Sequence, residues 1–209
     1  MRYLNPYSKT NLPFSPDFFA VNGNSARRHF ENFNYPTDKV IELEALRYMN
    51  LGSLSDNKKG ILILGNIVKQ KTLEMLNIIL PIIKGLNKKI YFKSHPAQSI
   101  HIDKIQYPNI KITDLTLDKL LKEFDTVICC SNSGAAVESF VLNLKTIVFV
   151  PLGDLNLSPL KNIPNVFFVS TQKEIAEAVK SNHHCSSKKD FFFLNNEFKN
   201  WKKLLNMKI

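Results

Sequence analysis

His95 and the two serines Ser131 and Ser133 are the residues of this chain best suited to hold an anion. The histidine lies in Lys93-Ser94-His95-Pro96-Ala97-Gln98, directly after the apolar run Ile90-Tyr91-Phe92. The serines lie in Ser131-Asn132-Ser133-Gly134-Ala135-Ala136-Val137-Glu138-Ser139, directly after Thr126-Val127-Ile128-Cys129-Cys130. Each stretch reads as a strand that stops at a polar tip. If the two strands are parallel neighbours, both tips open onto one crevice at the carboxyl ends, where open α/β sheets bind ligands. An imidazole can donate a hydrogen bond to a phosphate oxygen or carry positive charge beside it. Hydroxyls and the free N–H groups of a helix start serve the same anion, helped by the positive end of the helix dipole.

The details of each tip sharpen this. Pro96 keeps His95 out of the helical region and prevents the strand from pairing onward. Strand alternation sends Lys93 to the face opposite Ser94. Taken alone, His95-Pro96 reads more readily as a histidine in a surface turn, and it becomes a useful signal only together with the second tip. In the second tip an ordinary helix cap, Ser131 or Ser133, with Glu138 as an exposed acid, accounts for one serine. It does not account for Gly134-Ala135-Ala136, a run that permits close backbone approach. Glu138, about one turn into the helix, is placed so that its carboxylate can accept both hydroxyls of a ribose. Gly65-Asn66, after Ile61-Leu62-Ile63-Leu64, forms a third and weaker tip on the same edge. There is no Gly-x-Gly-x-x-Gly fingerprint and no P-loop. His183-His184-Cys185 are adjacent, so they cannot easily converge on one ion, and no second pair stands at ligand spacing. No metal site is expected. Cys129 and Cys130 read as buried, inert thiols, and no Ser-His-Asp or Cys-His set can be assigned from spacing.

The elements that position these tips follow from the apolar pattern. Short strands are predicted over 18–21 and 39–43, separated by a helix over 25–33, with a polar linker over 51–59. From Gly60 the rhythm changes to strands at 61–64, 90–92, 110–112, 126–130, 146–150 and 166–169. Helices are predicted over 69–84, 117–124, 134–142 and 173–180, with Pro81 expected to bend or shorten the first of them. Strands alternating with helices imply βαβ units and a parallel sheet covered on both faces. The expected fold is therefore α/β, a doubly wound and mostly parallel Rossmann-like sheet over residues 60–182. Residues 1–59 read as a lead-in segment and 183–209 as a carboxyl-terminal amphipathic helix. That last helix, expected over 190–205, carries Phe191, Leu194, Phe198, Trp201, Leu204 and Leu205 beside Lys199, Lys202 and Lys203. Packing on protein is weighted above contact with an anionic membrane.

Composition narrows the partners. With 209 residues and 44% hydrophobic content, the chain can bury one large core. It has no continuous apolar run that would span a bilayer and no signal peptide. Three cysteines are too few for a disulfide framework, which points to a reduced, cytoplasmic setting. A formal net charge of +10 favours anionic partners. The lysines are scattered as pairs, and no arginine stripe, zinc finger or helix-turn-helix appears, so nucleic acid is not an expected partner.

Together, these residues resemble the carboxyl-terminal, nucleotide-binding half of a GT-B glycosyltransferase. His95-Pro96 and Ser131/Ser133 are similar to the HP and serine motifs of transferases that use CMP-activated sugars, the bacterial sialyl- and Kdo transferases. CDP-glycerol polyol-phosphate transferases show a related pair. Val21-Asn22-Gly23 and Glu44-Ala45-Leu46-Arg47-Tyr48 look like the segment leading into this domain in surface-carbohydrate biosynthesis proteins. The resemblance implies that residues 60–182 bind a nucleotide sugar through Ser94, His95, Pro96, Ser131, Asn132, Ser133, Gly134, Glu138, Gly65 and Asn66. His95 would contact the CMP phosphate and assist its departure, Ser131 and Ser133 would bind the same phosphate, and Glu138 would hold the ribose. It implies an inverting, metal-independent transfer with no cofactor, the CMP-sugar being the donor substrate. The acceptor would be a surface polysaccharide or lipopolysaccharide, reached in the cytoplasm or at the inner face of the membrane. Residues 1–59 are too few for a second Rossmann-like domain. The expectation is that the acceptor site and general base come from outside this stretch, from a longer chain or a partner chain. The alternatives are a CDP-glycerol-type transferase, a UDP-sugar enzyme such as an epimerase, and a non-catalytic nucleotide-binding subunit.

Overall fold

A computed structural model describes residues 16–32, 35–49, 60–102, 107–181 and 191–206. They fall into two compact units, one within Met1–Gly52 and Ser187–Ile209, the other within Ser53–Ser186. The second unit carries a six-stranded sheet made of β3 (Ile61–Leu64), β4 (Ile90–Lys93), β5 (Ile110–Ile112), β6 (Thr126–Cys130), β7 (Lys145–Phe149) and β8 (Phe167–Val169). Their order across the sheet is β5-β4-β3-β6-β7-β8, and every neighbouring pair is parallel. Four helices accompany them: α3 (Lys69–Ile83), α4 (Leu117–Leu121), α5 (Gly134–Val141) and α6 (Gln172–Lys180). This is the doubly wound α/β, Rossmann-like fold.

The apolar runs are uninterrupted because both faces of the central strands are covered. Ile61, Ile63, Ile128, Cys130, Ile147 and Phe149 join Met75, Ile79 and Ile83 of α3 and Ile175, Ala178 and Val179 of α6 in one core. Leu62, Val127, Cys129 and Val148 alternate to the opposite face and are buried as well. The edge strand β5 is half-covered, and its Lys111 and Ile112 are exposed. Pro81 stands in the last turn of α3, which nevertheless runs on to Ile83. A proline there removes a single N–H near the natural end of the ladder. Thr171 opens α6 with a reciprocal capping box to Glu174.

Lys145 begins β7 and is buried. Its Nζ donates to the carbonyl of Val179, at 3.2 Å, and to that of Ser181, so a cation closes the carboxyl end of α6. Replacing it with an isosteric apolar chain, Lys145→Met, is expected to cost about 1–3 kcal/mol, because two carbonyls lose their donor. Urea unfolding measures this, and a variant as stable as wild type would show that the cap contributes nothing net.

The first unit contains β1 (Phe19–Val21), α1 (Asn24–Asn32), β2 (Val40–Glu42), α2 (Leu46–Met49) and α7 (Lys199–Leu205). β1 and β2 pair in parallel. Phe19, Phe30 and Tyr35 meet edge-on or tilted around a small core with Val21 and Val40, and Phe193 packs against it. The carboxyl-terminal segment is shorter as a helix than its spacing predicts. Residues 191–198 are non-helical, and α7 begins only at Lys199. The reason is tertiary: the Phe193 N–H donates to the Asn22 carbonyl, at 3.0 Å, and its carbonyl accepts from Ala45, at 2.9 Å. Those backbone groups are committed across the unit and are not available to a helix ladder. The two segments singled out by resemblance form this seat. A Cβ on Gly23 would lie 1.8 Å from the Phe191 carbonyl oxygen, so only glycine lets the chains approach. Glu44 is buried and accepts from the N–H groups of Asn200 and Trp201, at 2.9 and 3.1 Å, capping α7. The Trp201 indole donates to the Glu44 carbonyl at 2.9 Å.

Candidate functional site

The strand order reverses direction between β3 and β6. The chain builds outward from β3 to β4 and β5, then returns to build β6, β7 and β8 on the other side. Such a switch point leaves a crevice at the carboxyl ends of its two central strands. The His95 tip and the serine tip are not on neighbouring strands, as the simplest reading of the sequence supposes. β3 lies between β4 and β6, so Gly65-Asn66 occupies the centre and the other two tips flank it.

This centre is tight. Leu64 pairs with Lys93, and the Gly65 N–H donates to the Lys93 carbonyl at 2.9 Å. A Cβ on Gly65 would lie 3.0 Å from the His95 backbone nitrogen and 3.4 Å from the Ser94 Cα, so the glycine lets the β4 tip fold over the β3 tip. Beyond it, the His95 carbonyl accepts from Gln98 at 2.8 Å and closes a turn. The His95 Nδ1 accepts from the Ala97 N–H at 3.1 Å. A backbone N–H can only donate, so Nδ1 carries no proton in this arrangement. In the neutral ring the hydrogen sits on Nε2 and is directed away from the turn. The Ser94 Oγ accepts from the Ile100 N–H at 3.1 Å, tying the loop to the buried Ile100 and Ile102. Pro96 is exposed.

On the other flank Ser133 is the N-cap of α5, its Oγ accepting from the Ala135 N–H at 3.3 Å. The Ser131 N–H donates to the Phe149 carbonyl at 3.0 Å, and Ser131 is buried. Ala135 and Ala136 are buried in the same helix, which packs against β6 and β7. Gly134 is exposed at its first turn, and Glu138 is buried. Below the tip, burial pushes both thiols up: Cys129 far above its ordinary value, and Cys130 to about 12. They are protonated and unreactive at neutral pH.

Two long-range contacts bear on this edge, one of them joining two tips, and sequence reading did not foresee either. The Asn66 amide nitrogen donates to the Asn132 side-chain carbonyl, linking the β3 and β6 tips across the switch point. Lys71, in the first turn of α3, pairs with Asp154 in the loop after β7. Nothing local marks Asp154, far along the chain, as the partner of Lys71. Among the described residues, no group of three or more His, Cys, Asp or Glu is placed to hold a metal ion. His183, His184 and Cys185 lie outside the described residues. A cavity of about 100 Å³ lined by Lys84, Ile90, Tyr107 and Ile110 sits at the amino ends of β4 and β5, at the other edge of the sheet from the tips. Among the described residues no helix is long and apolar enough to cross a membrane.

No protein-family model matches the chain, and no curated protein sequence matches it. Solved structures do. One is UDP-GlcNAc 2-epimerase of Methanocaldococcus jannaschii in complex with UDP-GlcNAc and UDP. It is similar at a TM-score of 0.61 and 14% identity over 90% of this chain and 60% of its own. A second structure of that enzyme matches at 0.53 and 16%, over 90% and 61%. The chain thus spans about 60% of the length of these structures. At such identity the likeness is one of fold, a doubly wound, Rossmann-like sheet.

Proposed function

We propose that the chain is the donor-binding half of a GT-B-type glycosyltransferase that takes a sugar from a nucleotide-activated donor, CMP-sugar preferred, to a surface polysaccharide or lipopolysaccharide acceptor. The observation that carries this reading is the convergence of three tips at one switch point. They bring the His95 ring, the start of α5 and the Asn66–Asn132 pair to the same sheet edge. That edge supplies hydrogen-bond donors and a helix dipole to a phosphate. In the reaction the bond between the sugar anomeric carbon and the phosphate oxygen breaks, and its electrons leave on the phosphate. The His95 Nε2–H and the α5 N–H groups meet the charge that develops there. The acceptor hydroxyl oxygen forms the new bond, and its proton passes to a base from an acceptor half outside this site. Ser131 and Ser133 flank the phosphate, Glu138 holds the ribose, and Ser94, Pro96 and Gly65 shape the wall.

A UDP-sugar enzyme is the second reading. It is favoured by the similar fold having been solved with UDP-GlcNAc and UDP. Thermal unfolding with CMP, CDP and UDP separates the two. A ligand at a hundredfold excess over its Kd should add about 2.7 kcal/mol of stability. Stabilisation by UDP and none by CMP would decide for the second reading. In either case His95→Ala should weaken binding of the preferred nucleotide by about 1.5–3 kcal/mol, the worth of one charge-assisted hydrogen bond. Calorimetric titration checks it, and an unchanged affinity would remove His95 from the site.

A further inference from the structure

The Asn66–Asn132 contact has a direction, and the direction is set by the backbone. The Val68 N–H donates to Asn66 Oδ1 at 2.9 Å. Because an N–H cannot accept, that side of the Asn66 amide must be its oxygen. The other side is therefore the Nδ2 group, and it donates to Asn132. The atom of Asn132 that receives it must be the oxygen, Oδ1. Asn66 itself is only 4% exposed. It is held at both backbone ends, since its N–H donates to Thr72 Oγ1 at 2.7 Å and its carbonyl accepts from the same hydroxyl at 3.4 Å. It has no freedom to turn over. Asn132 is half-buried, between Ser131 and the cap Ser133. With its oxygen turned toward Asn66, what it offers on the other side is an NH₂ group, a pure donor, beside the start of α5.

We propose that Asn66 and Asn132 form a polarity relay. The Val68 N–H fixes Asn66, Asn66 fixes Asn132, and Asn132 then presents its NH₂ as a donor to a ligand at the switch point. The relay favours an acceptor, such as a phosphate oxygen, over a donor-bearing group, and the bond to a charged oxygen is the stronger one. Asn132 is the group that touches the ligand, and Asn66 is a positioning residue. This rests on the nucleotide reading of the site, and the experiment keeps the two apart.

Wild-type protein is titrated with CMP, UDP and the phosphate-free nucleosides cytidine and uridine. Asn132→Asp has the same shape and still accepts from Asn66, but it offers the crevice an acceptor. Its affinity for the better nucleotide should fall by about ten- to hundredfold while nucleoside affinity stays constant. Asn66→Ser keeps an oxygen for the Val68 N–H and adds no charge, but does not reach Asn132. It should lower the ratio of nucleotide to nucleoside affinity several-fold with little loss of stability. In ¹⁵N–¹H spectra the Asn132 side-chain NH₂ pair should move with nucleotide and not with nucleoside. That shift should shrink in Asn66→Ser, a change that a merely structural contact would not produce. If wild type binds no nucleotide, the functional reading falls and takes the relay's ligand with it. If wild type binds but both variants keep the wild-type nucleotide-to-nucleoside ratio, the relay alone is overturned.

Discussion

Above about pH 9 the sheet is expected to lose stability steeply, with two adjacent thiols responsible for much of the slope. Cys129 and Cys130 close β6 and are 0% and 1% exposed. Burial raises both, and the proximity of Cys130 raises Cys129 further. The partners of Cys130 are weak ones, the Lys71 carbonyl and the Met75 sulfur, each at 3.8 Å. The sign follows from linkage. A thiol whose folded pKa lies above the unfolded 9.0 keeps its proton when folded and loses it when unfolded. Its contribution is complete below pH 9 and disappears as pH climbs toward the folded value, about 12 for Cys130. Each thiol so displaced removes roughly 1.4 kcal/mol per pH unit in that window. Lys145 works in the opposite direction. Burial lowers its pKa from 10.5, so the penalty on its charged form fades as pH rises toward that value. One lysine does not cancel two thiols. Urea unfolding followed by circular dichroism, repeated at pH steps from neutral to alkaline, gives the slope. Cys129→Ala/Cys130→Ala should be less stable at neutral pH but markedly flatter above pH 9. Equal slopes in the two proteins would refute the assignment.

The second large effect is expected at Glu44. Its carboxylate is buried and receives two N–H groups from the first turn of α7. Burial alone pushes its pKa up. The hydrogen bonds from Asn200, from its own backbone and from Trp201 outweigh that and hold it below the ordinary 4.5. A charged, doubly bonded cap of this kind contributes on the order of 3 kcal/mol, since each hydrogen bond to a charged group is worth about 1.5–3. Glu44→Ala should release α7, and Glu44→Gln, with one acceptor oxygen in place of two, should fall between. The chain has a single tryptophan, and its indole donates to the Glu44 carbonyl. Fluorescence therefore reads this contact directly: the emission of Trp201 should shift to the red in Glu44→Ala. With a depressed folded pKa the stabilisation is present above pH 4.5, and it is lost as pH falls through the folded value. The same red shift should thus appear in wild type on acidification, and a pH-independent emission would count against the cap.

Much of the secondary structure was legible because the relevant physics is local. Ile61–Leu64, Thr126–Cys130 and Lys145–Phe149 are apolar runs because both of their faces are covered, and their strand bounds agree with the pattern to within a residue. The polar tips were legible for the same reason, since a run that stops at Gly65, Ser94 or Ser131 leaves its next residues at an edge. Ser133 could be named as one of two candidate caps from its place before Gly134, and the structure selects it.

What the amino-acid order alone determined about this protein is thus the alternation of strands and helices, the doubly wound class and the residues at the strand tips. Tertiary structure decided everything that depends on which distant segments meet. It placed β3 between the two tips that looked like neighbours, because strand order follows from how the crossovers pack and not from the runs themselves. It shortened the final helix, because Phe193 bonds to Asn22 and Ala45 instead of its own ladder. It buried Lys145, because the end of α6 supplies carbonyls for its ammonium. It also joined Asn66 to Asn132, 66 positions apart. A side-chain amide carries both a donor and an acceptor, and only the neighbours brought to it by the fold determine which of the two faces the crevice.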